Sequence, residues 1–111
     1  MECLFCKIID GTIPSERIYE NEQVIAIRDI NPQAPVHVLF LPKTHVRRMT
    51  ELDNLSIQSA LFAAVAEFAA REQLEDEGYR IVVNTGRDGQ QTVDHLHLHL
   101  LAGRQLQWPP G

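Results

Sequence analysis

The sequence predicts an α+β domain: a mainly antiparallel β-sheet with one principal helix packed on it. Three observations lead there. Short β-prone runs occur on both sides of a single long helical period, the links joining the first three runs are only a few residues long, and the helical period occurs once. A chain of 111 residues, 44% of them apolar, is expected to form one domain over 1–111, with an irregular tail at about 105–111.

Ser15 to Tyr19, Val24 to Asp29 and His37 to Leu41 read as strands, punctuated by Asn21-Glu22, Asn31-Pro32 and Pro42-Lys43. Links this short favour antiparallel neighbours. From about Asp53 to Leu74 the period changes, because Ile57, Leu61, Ala64, Val65 and Phe68 recur on one helix face. Asp53 or Asn54 is placed to cap the free N–H groups at its start, and Gly78 follows its end. Tyr79 to Asn84 is again β-prone, Thr85 to Gln91 is a polar loop containing Gly86 and Gly89, and His95 to Ala102 reads as the last strand. The Trp-Pro-Pro-Gly ending keeps Gln105 to Gly111 out of regular structure.

Outside its main stripe the helix carries Phe62, Ala63, Ala66, Ala69 and Ala70. A helix apolar nearly all round is usually covered on two sides, and a homodimer would supply the second cover. The alternative for the alanines is their helix-forming tendency on an exposed surface. The formal charge of −5 argues against nucleic acid as a partner, since binding phosphate backbones requires clustered Lys and Arg. The longest apolar run, Ala60 to Ala66, is too short to span a bilayer, so no membrane partner is expected. Met1-Glu2-Cys3 opens without a basic and then apolar segment, and a cytoplasmic address is the expectation.

The segment "VDHLHLHLLAGR", Val93 to Arg104, places His95, His97 and His99 at alternate positions. On a strand these imidazoles share one face, expected to be the outer one, while Leu96, Leu98 and Leu100 point into the core. Mutual repulsion disfavours a second positive charge among them, which enriches neutral rings. Three arrangements follow: one metal held by all three, a histidine nucleophile with helpers, or a division in which one serves a metal and the others do chemistry. In the preceding loop, Gln91 and Thr92 are uncharged donors suited to a phosphate oxygen. It is not a P-loop, since the Lys-Ser/Thr pair and following helix are missing.

Cys3-Leu4-Phe5-Cys6 has the spacing of a thiolate metal clip, shared with redox centres. A thioredoxin-type centre follows a strand, and two residues before Cys3 cannot form one. A tetrahedral zinc site needs two more ligands, with His45 and one triad histidine as candidates; two small buried thiols are the other reading.

"HLHLHLL", His95 to Leu101, matches the pattern His-φ-His-φ-His-φ-φ, with φ apolar, of the histidine triad (HIT) family. "CLFCKIIDGTIPSERIYE", "DINPQAPVHVLFLPKTHV" and "LLAGRQLQWPPG" extend the likeness over nearly the whole chain, and the last resembles the Hint branch, nucleotide-binding proteins that hydrolyse purine nucleoside phosphoramidates. The resemblance implies that His97 is the nucleophile, forming a nucleotidyl-histidine from which water releases AMP or GMP. It implies that His99 and Thr92 hold phosphate oxygens and that His37 orients or relays protons. Asp29 would bind the ribose beside Ile30, Asn84 and Gln91 would contact the nucleotide, and Phe5, Ile8 and Ile27 would wall the purine. It further implies a structural zinc on Cys3, Cys6, His45 and His95, a homodimer, and a Trp108-Pro109-Pro110 tail that reaches the partner's active site. Family members commonly carry Gly at Gln90 and an aromatic at Asp94, departures that bear on the nucleotide contacts. Two other readings of the triad are a metal-dependent hydrolase using all three histidines as ligands and a nucleotide-binding regulatory module with little turnover.

Overall fold

The computed structural model describes residues 3–111; Met1 and Glu2, on which the reading of the N-terminus partly rests, lie outside them. Five strands, β1 (Arg17–Glu20), β2 (Val24–Arg28), β3 (Val36–Pro42), β4 (Tyr79–Val82) and β5 (Leu98–Ala102), form one sheet in the order β1-β2-β3-β5-β4. Every pairing is antiparallel. The α+β expectation therefore holds. The helices are α1 (Leu4–Ile9) and α2 (Leu55–Arg71), with a single 3-10 turn at Met49–Glu51. No helix among the described residues is long and apolar enough to cross a membrane.

Alternation along the strands gives the sheet two different faces. Val24, Ala26, Val38, Phe40, Leu98 and Leu100 point to α2 and meet Ile57, Leu61, Ala64, Val65 and Phe68. The period-derived helix face is the buried one. Phe40 and Phe68 close edge to face at 5.8 Å, a geometry that adds quadrupolar attraction to area burial. Asn54 caps α2 as expected, its side-chain oxygen accepting from the Ile57 N–H at 3.1 Å. Of the apolar residues outside the main stripe, Ala69 is buried at 0% exposure, whereas Phe62 is 73% exposed.

The opposite face carries Ile25, Ile27, Leu39 and Leu41, covered by α1 through Cys3, Phe5 and Ile8. The sequence reading did not foresee this short helix. At six residues it is under two turns, too short for a period to register, and its N-cap is Cys3, whose sulfur accepts from the Cys6 N–H at 3.4 Å.

The last strand also differs from expectation. It begins at Leu98, so His95 and His97 precede the ladder and only His99 lies on the strand. Nor is their face an outer one: His95 is 0% and His97 5% exposed, because α1 roofs them. Leu96, Leu98 and Leu100 do enter the α2 layer. Other boundaries move by one to three residues, which is the ordinary fraying of element ends. The tail beyond Gly103 has no regular structure, and Arg80 holds it by donating to the Gln107 carbonyl at 2.8 Å.

Asn54→Ala is expected to lower the unfolding free energy by about 1 kcal/mol by orphaning the Ile57 N–H. Urea titration followed by circular dichroism checks this, and the slope m should stay unchanged.

Candidate functional site

A cavity of about 620 Å3 opens on the α1 face of the sheet. Phe5, Ile8, Ile27 and Leu39 form an apolar end, and His97, His99, Thr92 and Asp29 bring polar atoms to it. Such a mixture, an apolar wall with few polar groups converging, is the usual make-up of a small-molecule site. Ile30 stands at the rim, fully exposed.

The hydrogen-bond network fixes which nitrogen of His37, His97 and His99 carries the proton. His97 Nδ1 lies 2.7 Å from the His95 carbonyl oxygen, which only accepts, so the proton is on Nδ1 and Nε2 keeps a free lone pair. The Gln33 N–H donates to His37 Nδ1 at 3.0 Å, so His37 carries its proton on Nε2. That Nε2–H donates to His99 Nδ1 at 2.9 Å, which puts the His99 proton on Nε2. Adjacent rings, with centroids 5.0 Å apart, thus hold opposite tautomers: His97 with a bare Nε2, His99 with an Nε2–H donor.

Burial keeps these rings neutral. His99 is pushed down to about 4, first by burial and then by the neighbouring His97 and His37, with the Asp29 carboxylate opposing. Burial also lowers His37 and His97, again against Asp29. Asp29 itself caps the Asn31 N–H through one oxygen at 2.8 Å and sets the other 3.4 Å from His37 Nε2.

On the far side of His97 a second cluster gathers the donor atoms of Cys3, Cys6, His45 and His95 within 4.8 Å of one another. His95 Nε2–H donates to the Pro42 carbonyl at 2.9 Å, leaving the Nδ1 lone pair aimed at the sulfurs, 3.5 Å from Cys3 and 3.6 Å from Cys6. His45 Nδ1 is 3.1 Å from His95 Nδ1 and 3.2 Å from the Cys6 sulfur. A tetrahedron with zinc–nitrogen and zinc–sulfur bonds has edges of about 3.3–3.8 Å, and these four separations lie within a few tenths of an ångström of that range, so the donor set suits such an ion after a small adjustment. The carbonyl behind His95 is the outer partner that a metal-bound imidazole normally has.

The arrangement therefore divides the triad. One ion shared by His95, His97 and His99 is ruled out as a reading, because His95 turns its lone pair to the cysteines while His97 turns its own to the cavity. Asp29, His37 and His99 also lie close enough to hold a metal. However, His37 Nδ1 accepts from Gln33, so Nε2 bears hydrogen rather than a ligating lone pair.

Comparison with known proteins gives a match to the HIT domain model over residues 10–106. The chain belongs to the HIT domain family. It is 46% identical to an uncharacterized HIT-like protein of Synechococcus elongatus over 99% of this chain and 97% of that one. It is 48% identical to a 14 kDa zinc-binding protein of Zea mays, over 97% and 87%. Among solved structures, a HIT family hydrolase from Legionella pneumophila superposes with a TM-score of 0.94 at 42% identity, covering 99% of this chain and 100% of that one. A histidine triad nucleotide-binding protein from Candida albicans gives 0.86 at 32%, over 97% and 83%.

In this HIT domain not every residue expected at the site lines the cavity. His37 stands behind His99. Asn84 and Gln91 are used within their loop: Asn84 donates to the Gly89 carbonyl at 2.6 Å, and Gln91 donates to the carbonyls of Arg47 and Val93 while accepting from the Gly86 N–H. Gln91 is thus a brace in this structure rather than a free donor. Gln90 takes φ 63°, the left-handed conformation that glycine adopts without strain. Gly89 has no substitute, since a Cβ there would lie 2.5 Å from the Thr85 oxygen. Leu39, Val93 and Ile13 also line the cavity and were missed; for Leu39 the signal was available, two residues beyond His37 on the same strand face.

Between about pH 6.5 and 4 an unfolded histidine binds a proton that folded His99 does not, so stability rises with pH across that window. Denaturant titrations at successive pH values should give a level free energy above about 7, a decline below about 6.5, and a shallower decline in His99→Asn. Zinc titration of chelator-treated protein should saturate at one ion per chain and fail in Cys6→Ser, with a colorimetric zinc indicator as readout.

Proposed function

We propose that this HIT domain hydrolyses the P–N bond of purine nucleoside 5′-phosphoramidates through a nucleotidyl-His97 intermediate. The observation that carries the reading is the pair of opposite tautomers at one cavity: a bare nitrogen that can attack phosphorus beside an N–H that can hold a phosphoryl oxygen. The relatives described as a HIT family hydrolase and as a histidine triad nucleotide-binding protein support the same class of chemistry and ligand.

In the first step His97 Nε2 bonds to phosphorus as the P–N bond breaks, and the amine leaves with that electron pair and a proton from solvent. The positive charge on the substituted ring is stabilised by the His95 carbonyl at Nδ1. His99 Nε2–H and the Thr92 hydroxyl donate to phosphoryl oxygens, and His37 keeps His99 in its donor tautomer. In the second step water attacks phosphorus and releases a proton to solvent, the P–Nε2 bond breaks with its electron pair returning to Nε2, and the nucleoside monophosphate departs. Phe5, Ile8 and Ile27, which line the cavity, would wall the purine, and Asp29 would accept from the ribose hydroxyls. Asn84 and Gln91 would act by shaping the loop. A zinc ion on Cys3, Cys6, His45 and His95 would play a structural part; the relatives described as 14 kDa zinc-binding proteins support the choice of metal.

The assembly we propose is a homodimer, with Phe62 and the unpaired edge of β4 as the surfaces calling for a partner. Trp108, 79% exposed, is the tail residue available to reach a second copy.

Acid-quenched reaction with a radiolabelled adenosine phosphoramidate should leave label on the protein. His97→Ala should lose that label together with at least about 10^4-fold in kcat/KM. Label retained by His97→Ala would sink the mechanism, and tight AMP binding without turnover would leave only a binding module.

A further inference from the structure

The backbone carrying His97 is not held by the sheet. β5 starts at Leu98, so the three residues from His95 to His97 lie outside the ladder, although a nucleophile must be fixed to well under 1 Å. What fixes them is the Cys3/Cys6/His45/His95 cluster. The His95 ring is gripped at both nitrogens, by the Pro42 carbonyl at Nε2 and by the cluster at Nδ1. Its own main-chain carbonyl then takes the His97 Nδ1–H. Leu96, between the two histidines, donates its N–H at 2.7 Å to the carbonyl of Val46, the neighbour of His45. Phe5, between the two cysteines, sets its ring edge to face against both His95, at 5.9 Å, and His97, at 5.1 Å, and also lines the cavity. Three of the four donors therefore sit on His97's own segment or next to a residue that restrains it, and Cys3 lies two residues from Phe5.

We infer that the Cys3/Cys6/His45/His95 cluster, with an ion bound, is the positioning device of the nucleophile: its occupancy fixes the tautomer and direction of the His97 ring. His95 is then a positioning residue acting through its carbonyl. A purely structural centre would hold α1 to the sheet and leave His97 indifferent. The inference rests on the proposed role of His97 for its bearing on turnover, but not for its physical content.

The test is the ¹⁵N spectrum of histidine-labelled protein, zinc-loaded and then stripped with a chelator, alongside far-ultraviolet circular dichroism. Loaded protein should show His97 with one protonated nitrogen, Nδ1, and one bare nitrogen. Stripped protein should keep its strand and helix signal while the two His97 nitrogens move toward a common average shift and broaden. Activity should fall about 10-fold or more, mostly in kcat. His45→Cys, which keeps four donors, should bind the ion and restore the loaded pattern, whereas His45→Ala should resemble the stripped protein. Unchanged His97 resonances in folded, stripped protein would overturn the inference, and so would global unfolding on stripping, since the ion would then hold the fold at large. If the resonances respond but His97→Ala still turns over phosphoramidate, the coupling stands and the functional reading falls.

Discussion

A neutral imidazole has one nitrogen that donates and one that accepts, and three of the five histidines here are buried where water cannot correct a mismatch. That constraint organises the α1 side of the protein. Each ring's polarity is set by a main-chain group that has no choice: the Gln33 N–H for His37, the Pro42 carbonyl for His95, the His95 carbonyl for His97. From those fixed ends the remaining nitrogens follow in turn: His95 Nδ1 toward the cysteine pair, His97 Nε2 into the cavity, and His37 Nε2 onto His99, whose own Nε2–H then faces the cavity. Leaving any of these partners unmade in a buried setting would cost roughly 1–3 kcal/mol, so the pattern has little freedom to reverse.

The same constraint explains why the site is neutral. Burial disfavours the imidazolium, and although Asp29 pulls the other way, desolvation is the larger influence on His37, His97 and His99. A charged ring at His97 would have no lone pair left to offer the cavity. The apolar layer of Ile25, Ile27, Leu39 and Leu41 under α1 thus has a chemical effect beyond cohesion, because it holds the bases in their free form.

Much of this was legible in the residues. The period through Ile57, Leu61 and Phe68 located α2 and its buried face, and the alternating leucines located the core side of the last strand. The side chains of Cys3, Cys6, His45 and His95, which the resemblance names together, lie within reach of one another. What could not be read was carried by main-chain atoms and short elements. α1 is too brief to show a period, so the roof over His95 and His97 was invisible and their face was taken as wet. The late start of β5 depends on the Leu96 N–H finding Val46 rather than a strand partner, a choice no side chain announces. Gln91 looked like a ligand donor because its type allows it, and only the fold shows its amide committed to Arg47 and Val93.

The alternation along β3 has one more consequence. Val38 and Phe40 serve the α2 layer while His37 and Leu39 serve the cavity side, and the pairing of Leu39 with His99 keeps β5 in step. Sliding β3 by a single residue would turn His37 into the greasy interior and push Phe40 toward the ligand, an error that wrecks folding before chemistry is ever tried. Assembly and catalysis are consequently checked by one and the same alignment: a chain that closes its hydrophobic layer has, in doing so, already proofread its active site.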